Sequence, residues 1–279
     1  MDTKQIIASL WVGMPFIAKT LIQQSQDMSR PENRSFFENP DDVIEHEPKW
    51  HQWGIITHSK MFQRFLEEKV PGYLETWNLT KMTAPRLAEE IDGVSKQELL
   101  SVVAVVHDLG KFTVRKLKEK EGERSNSFKG HESASGKIVR SPEFSKRLKQ
   151  GGILTDKQIE YVAKCAELHY VLSIIRTEAD KSALGCTLTF ANSDAVKELC
   201  RGLIVEYHDF ALEVGLLFLA DSLAKTEFGT DAEIVMQDAA LKDRLRAAGA
   251  NPKLISAIKE SSGKRGIAKT YLEGLVGNC

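Results

Sequence analysis

The chain has 279 residues, of which 42% are hydrophobic and 28% charged, and this is the balance of an ordinary globular protein. Its length suits one large domain, or a core domain with extensions, and needs no disulfides to bury a core. The formal net charge of -1 gives no global electrostatic reason to expect a nucleic-acid partner. None of the four cysteines belongs to a C-x-x-C pair, so we expect reduced thiols in a cytoplasmic protein.

The N-terminal segment predicts one buried helix followed by an irregular stretch. Residues 3–26 carry apolar side chains at helical spacing, as a core helix does. Asp2 and Pro15 disfavour a signal peptide, and we expect no stretch long enough to span a bilayer. Residues 28–52 are polar and contain three prolines, which predicts an irregular connection.

The next part of the chain also contains residues that are typical of helix starts and ends. Residues 53–69 predict a helix that stops at Pro71, and Pro85 is expected to open a short helix that Gly93 closes. Ser95 and Glu98 have the spacing of a capping box. The helix that this box starts is expected to end at Gly110.

The charged segment 113–130 contains Gly and Ser and predicts a mobile loop or an irregular connector. Pro142 is expected to start the next helix. Thr155 and Gln158 form a second capping-box pattern, which starts the helix expected to carry His169.

The C-terminal part also favours helices. Residues 193–227 predict two helical pieces, and residues 230–233 and 251–252 are expected to start the last helices. The weak strand candidate is the segment 186–190. The sequence shows no repeat of 20–50 residues, and the predicted fold class is all-α.

A histidine followed directly by an aspartate marks the predicted end of the central helix. His107 and Asp108 are adjacent, so their side chains point about 100° apart and can still lean onto one ion. Imidazole nitrogen with carboxylate oxygen suits Mn, Fe, Co, Ni or Zn. Asp221 lies in an apolar run, where a carboxylate is costly to bury unless it is paired or bound to metal. Each feature alone is weak, because most polar groups are satisfied locally.

In combination, five segments resemble the HD-domain metal-dependent phosphohydrolase superfamily. They are THSKMF, VVAVVHDLGK, FKGHESASGKIV, AELHY and LFLADSLAK, and together they cover roughly residues 50–227. The resemblance implies an HD-domain helical bundle with N- and C-terminal helical extensions. The expected organisation is an N-terminal helix and irregular extension over 1–50, a metal-binding helical core over 51–230, and C-terminal helices packed on the core over 231–279.

The same resemblance implies the ligands of one or two divalent metals, namely Mn, Fe, Co, Ni or Mg. His58, His107, Asp108 and Asp221 match the core ligands. His131 and His169 match the added histidines of binuclear branches, in which Asp108 would bridge the two metals. Facing helices of a bundle can supply such inward ligands.

Other polar residues near these motifs have expected roles. Lys111 is expected to bind a substrate phosphate or developing oxyanion, and Arg115 is expected to contact substrate. The alternative for Lys111 is a solvated lysine at a helix C-terminus, and that for Arg115 is a solvated charged loop. Glu132 is expected to orient a ligand or a water. For His46 and His51 we favour surface or structural roles, and we expect the second His-Asp pair, His208 and Asp209, to lie outside the site.

The resemblance implies an enzyme that hydrolyses a phosphate ester of a nucleotide or another small phosphorylated metabolite by metal-activated water. No membrane partner is expected, nucleic acid is disfavoured, and a homo-oligomer is compatible with the sequence. Two alternatives stay open. The same six predicted ligands resemble those of di-iron HD-type oxygenases, which act on a small polyol or phosphonate-like substrate, and a non-catalytic regulatory HD module would keep the fold without turnover.

Overall fold

The computed structural model describes residues 3–120, 123–149, 154–227, 239–247 and 252–277. The chain forms two compact units. Unit 1 comprises Met1–Glu47, Trp53–Gln63 and Arg86–Leu168, and unit 2 comprises Pro48–Gln52, Arg64–Pro85 and His169–Cys279.

The elements of the first half follow in chain order as α1 (Thr3–Ser25), α2 (Pro31–Glu38), α3 (Val43–His46), α4 (Ile55–Glu68), α5 (Val70–Thr76), α6 (Thr80–Leu87), β1 (Glu90–Ile91), β2 (Val94–Ser95), α7 (Lys96–Val106), α8 (Lys111–Val114), β3 (Lys116–Lys120) and β4 (Glu123–Ser127). Those of the second half are α9 (His131–Arg140), α10 (Pro142–Lys149), α11 (Asp156–Leu168), α12 (Ser173–Lys181), α13 (Leu188–Ala191), α14 (Asp194–Glu206), a 3-10 turn (His208–Phe210), α15 (Ala211–Leu223), α16 (Ala239–Ala247) and α17 (Pro252–Val276). The described strands form two small antiparallel hairpins, β1–β2 and β3–β4. The predicted all-α fold class is confirmed.

Unit 1 is built around α7, which α1 and α11 contact, and α9 packs on α11. The predicted capping box starts α7, because the Ser95 hydroxyl accepts the Glu98 N–H while the Glu98 carboxylate accepts the Ser95 N–H. Residues 102–106 of α7 are all buried. The chain that follows α7 therefore begins inside the core of unit 1.

Unit 2 is centred on α15, of which every residue is buried. Helix α17 packs on α13, α14 and α15. The contact with α15 is close, because a Cβ added to Gly215 would lie 2.5 Å from Leu272 Cδ2. A helix that is apolar all round is expected at the centre of such a bundle.

Several sequence predictions of local structure are confirmed. The second capping box starts α11, since Thr155 N–H donates to Gln158 Oε1 at 2.8 Å. Pro142 opens α10, Pro252 opens α17, and α14 and α15 are the two predicted helical pieces. Cys165, Cys186 and Cys200 are free and buried. The predicted start at 230–233, the domain boundary at 230 and Cys279 lie outside the described residues.

Other predictions are wrong. The stretch 28–52 contains α2 and α3, because Pro31 lies in the first turn of α2, where no intrahelical N–H is needed. The segment 113–130 contains the β3–β4 hairpin, and the strand candidate 186–190 leads into α13, which Thr187 caps. Pro85 lies inside α6 rather than at its start.

Two glycines do not end the helices that they were predicted to close. Gly93 has a φ of 83° in the turn of the β1–β2 hairpin, so it closes a hairpin and no helix. Gly110 has a φ of -60° and does not end α7, which stops at Val106. Gly110 instead lies in close contact with α9, as described below.

Helix α1 has 23 residues and is long and apolar enough to cross a membrane by length and composition. The expectation that no stretch has this length is therefore wrong. Core helices and signal sequences meet the same criteria. In unit 1, α1 buries one face that includes Ile6, Leu10, Met14 and Ile17, which is how a core helix packs.

Candidate metal centre

The predicted His-Asp pair lies in a turn between α7 and α8, and both side chains are buried. His107 Nδ1 is 2.9 Å from the carbonyl oxygen of Ala104. Because a carbonyl only accepts, Nδ1 carries a hydrogen, and Nε2 is the nitrogen left to face the carboxylate or a metal. That Nε2 lies 3.3 Å from Asp108 Oδ2. Phe62 stacks on the imidazole, with ring centroids 4.2 Å apart, and so fixes its plane.

His131 reaches the same carboxylate from α9. A Cβ on Gly110 would lie 2.0 Å from the His131 carbonyl oxygen, and the Gly110 N–H donates to Ser135 Oγ at 2.8 Å. Only glycine at position 110 allows α9 to approach the turn this closely. His131 Nδ1 is 2.9 Å from the Phe128 carbonyl, which leaves its Nε2 to face Asp108 Oδ1 at 3.3 Å.

His58 is the third imidazole, and it comes from the first turn of α4. The Asp41 carboxylate stabilises this turn, because it accepts the Thr57 N–H at 2.8 Å and the Thr57 hydroxyl at 2.6 Å. His58 Nε2 lies 3.6 Å from Asp108 Oδ2. Its ring centroid is 5.7 Å from that of His107.

These residues form a donor set that fits a transition metal. One ligand atom each of His58, His107 and Asp108 lies within 4.8 Å of the others. The two oxygens of Asp108 face different imidazoles, since Oδ2 faces His58 and His107 while Oδ1 faces His131. Imidazole nitrogens with one carboxylate suit Mn, Fe, Co, Ni or Zn better than Mg, which prefers oxygen ligands.

Lys111 keeps Asp108 ionised. Its Nζ donates to Asp108 Oδ2 at 2.7 Å, and Lys111 itself is buried. Burial alone would raise the pKa of the Asp108 carboxyl, but the charge of Lys111 and the contacts with His107 and His131 hold that pKa well below its ordinary value. A carboxylate, rather than a neutral acid, is the form that binds metal.

His46 was missed as part of this centre, and the part of its prediction that favoured the surface is wrong. It is buried, its Nδ1 is 3.0 Å from the Trp53 carbonyl, and its Nε2 is 3.0 Å from Lys111 Nζ. Burial, with the charge of Lys111, holds its pKa well below 6.5, so the neutral ring accepts from the ammonium. Its acidic and lysine neighbours in the sequence gave no signal of burial.

Arg115 and Glu132 occupy different surroundings. Arg115 is buried, forms an ion pair with Glu45, and donates to Asn126 Oδ1 at 2.9 Å, so it ties the β3–β4 hairpin to α3. Its contact with substrate stays a prediction. Glu132 Oε2 is 3.3 Å from His131 Nδ1, which supports its predicted role of orienting that ligand.

The remaining predicted ligands belong to unit 2. His169 directly follows α11 and Asp221 lies in α15, and both are buried. Their membership of the metal site stays a prediction. The second His-Asp pair differs, because the side chains of His208 and Asp209 are 86% and 87% exposed. That pair lies on the surface.

Comparisons with known proteins identify the family. The family model HD domain matches residues 73–226, more than half of the chain. This range contains His107, Asp108, Lys111, His131, His169 and Asp221, and it begins after His58. Searches of the curated proteins and of the solved structures found no match. HD domains bind divalent metals, as the donor set of unit 1 would allow, and the chain belongs to the HD-domain family, within the HD metal-dependent phosphohydrolase superfamily.

Proposed function

We propose that the protein hydrolyses a phosphate ester of a nucleotide or another small phosphorylated metabolite, with one or two divalent transition metals at the centre formed by His58, His107, Asp108 and His131. The observation that carries this proposal is the convergence of three imidazole Nε2 atoms on one buried, ionised carboxylate. His169 and Asp221 are the further ligands that we propose. The buried free cysteines support action in the cytoplasm.

The ligands of unit 1 are oriented before any metal binds. The Ala104 and Phe128 carbonyls accept the Nδ1 hydrogens of His107 and His131, so both Nε2 atoms are directed at the centre. A bound divalent metal would lower the pKa of a coordinated water and polarise a phosphoryl oxygen. The two oxygens of Asp108, which face different imidazoles, support a bridging role.

Lys111 has a proposed role toward the substrate. An ammonium group has three N–H donors, and Lys111 directs one to Asp108 and one to His46. The third is the donor that we propose for a phosphoryl oxygen or for the charge that develops on it.

The test compares the two His-Asp pairs of the chain. In Asp108→Ala we expect metal content and phosphate release from a panel of phosphate esters to fall together to background. The matched control Asp209→Ala alters the exposed pair and should keep both. Elemental analysis of protein purified without chelator gives the metal content.

Three outcomes would overturn the proposal. Phosphate release that survives Asp108→Ala would show that the centre is assigned wrongly. Two irons per chain, with oxygen consumption and no phosphate release, would replace the hydrolase by the oxygenase alternative. Protein that holds metal and turns over nothing in either assay would indicate the regulatory module.

A further inference from the structure

Unit 1 contains a cavity of about 570 Å³ that is lined by residues of α1, α8, α9 and α10. Its apolar lining includes Ile17 and Phe144, which are each 5% exposed, and the half-buried Leu21 and Ile138. Phe16 also lines it and is 64% exposed, so the cavity opens to solvent beside this ring. The lining residues that the structure describes include no ligand of the candidate metal centre, and the cavity is therefore a separate feature of the same unit.

The inner wall of this cavity is mainly apolar. Two of its hydroxyl groups donate within the protein, since Thr20 Oγ1 donates to the Phe16 carbonyl at 2.9 Å and Thr113 Oγ1 to the Gly110 carbonyl at 2.9 Å. Side-chain carbon thus makes up most of the surface that a ligand would meet inside. Sites for small molecules are typically mainly apolar and hold about 300–1,000 Å³, and the volume of this cavity lies in that range.

Three charged side chains also line the cavity, and all three are exposed. Lys137 in α9 and Arg147 in α10 are positive, and Glu143 in α10 is negative. The Arg147 guanidinium lies 5.9 Å from the centroid of the Phe16 ring. Within the described part of the chain, none of the three forms an ion pair. The opening therefore carries one positive charge in excess beside an apolar interior.

We infer that this cavity binds an amphipathic monoanion of the class of medium-chain carboxylates. The apolar body of such a ligand would fill the interior, where its carbon surface is removed from water. Its carboxylate would stay at the opening beside Lys137 and Arg147, where a guanidinium can bind both carboxylate oxygens. A dianion fits less well, because Glu143 offsets one of the two positive charges. This inference does not rest on the proposed function.

The experiment measures the Kd of decanoate for the full chain by titration calorimetry, with decanoate kept below its micelle concentration. The native protein should bind one decanoate per chain. Arg147→Glu should weaken binding about tenfold or more, because a repulsive charge replaces an attractive one. Phe16→Ala changes an exposed position and should weaken binding about threefold to tenfold, because apolar contact is lost.

The matched control is Lys146→Glu, which makes the same change of net charge at the neighbouring exposed residue of α10 but does not alter the cavity lining. It should stay within about threefold of the native Kd, because a charge in solvent is screened. Arg147→Lys keeps the positive charge and should recover most of the affinity that Arg147→Glu loses, while circular dichroism shows that each variant is folded. Butanoate has the same carboxylate on a much shorter chain and should bind at least about tenfold more weakly than decanoate.

The inference fails if the native protein does not bind decanoate, if Arg147→Glu binds it as tightly as the native protein, or if butanoate binds equally well. Binding that is lost in Asp108→Ala but kept in Arg147→Glu would assign the carboxylate to a bound metal and overturn the inference. Sedimentation tests another occupant of the cavity. A native dimer that Phe16→Ala dissociates, together with no decanoate binding, would assign the opening to a second copy of the chain.

Discussion

Unit 1 and unit 2 each bury lysine next to aspartate, but the two lysines differ in their partners. Lys111 donates to Asp108 at 2.7 Å and its second contact is the neutral His46, so the pair is balanced. Lys225 stands 3.8 Å from Asp221 and next to a second lysine. The lysine of unit 1 therefore has its counter-charge in direct contact, whereas the lysine of unit 2 shares a more distant carboxylate with a second lysine.

The largest effect should come from removing the lysine of unit 1 in chelator-treated protein, and the lysine of unit 2 provides the comparison. Lys111→Met leaves Asp108 buried without its cation, so we expect the free energy of unfolding to fall by about 3 kcal/mol or more. Lys225→Met removes a lysine whose burial is itself costly and should change it by less than about 1 kcal/mol, because the second lysine, Lys264, still interacts with Asp221. Urea unfolding measures both, and equal losses would break the comparison.

A smaller effect concerns the glycine that lets α9 reach the turn. A Cβ at position 110 would lie 2.0 Å from the His131 carbonyl oxygen, so Gly110→Ala should lower the free energy of unfolding by about 3 kcal/mol and reduce metal content. Gly202→Ala in α14 is the control, because its Cβ meets nothing within 4 Å. That substitution should stabilise the protein by about 0.5–1 kcal/mol. A neutral Gly110→Ala would show that the close contact is not needed.

The smallest effect on the free energy of unfolding should come from an exposed ion pair of unit 1. This pair provides a reference for the buried lysine–aspartate pairs. Arg140 donates to both oxygens of Glu160 at 2.7 Å, and these hydrogen bonds lower the pKa of Glu160 from 4.5. Because the folded pKa is the lower one, the contribution is present above pH 4.5 and is lost as the pH falls below it. Its size should stay under about 1 kcal/mol, because the group is exposed.

The check is the free energy of unfolding of native protein and Glu160→Gln between about pH 6 and pH 3. The difference between them should shrink as the pH falls. A difference that is constant or grows toward acid would contradict the sign.

Much of unit 1 could be predicted because its signals are local. The capping boxes at Ser95 and Thr155 are short patterns with one physical meaning, and both are confirmed. The His107–Asp108 pair is also local, and the structure places it against His58 and His131. The family resemblance supplied the order of these distant segments, which spacing alone does not give.

What could not be predicted depends on contacts across long sequence distances. Arg115 lies in a charged segment, which favours a solvated side chain. It is buried instead, because Glu45, 70 positions away, supplies the opposite charge. The sequence around Lys264 does not indicate that this lysine is buried, because its partner Tyr170 is 94 positions away. Charge partners of this kind leave no periodic signal in the sequence.

The way in which α4 begins has a consequence for the order of folding. The carboxylate that accepts the Thr57 N–H comes from Asp41, 16 positions upstream, whereas α7 is capped by Ser95 only three positions from the Glu98 N–H. Closing the longer loop costs chain entropy before its hydrogen bonds form. We therefore expect the first turn of α7 to form before that of α4 during refolding.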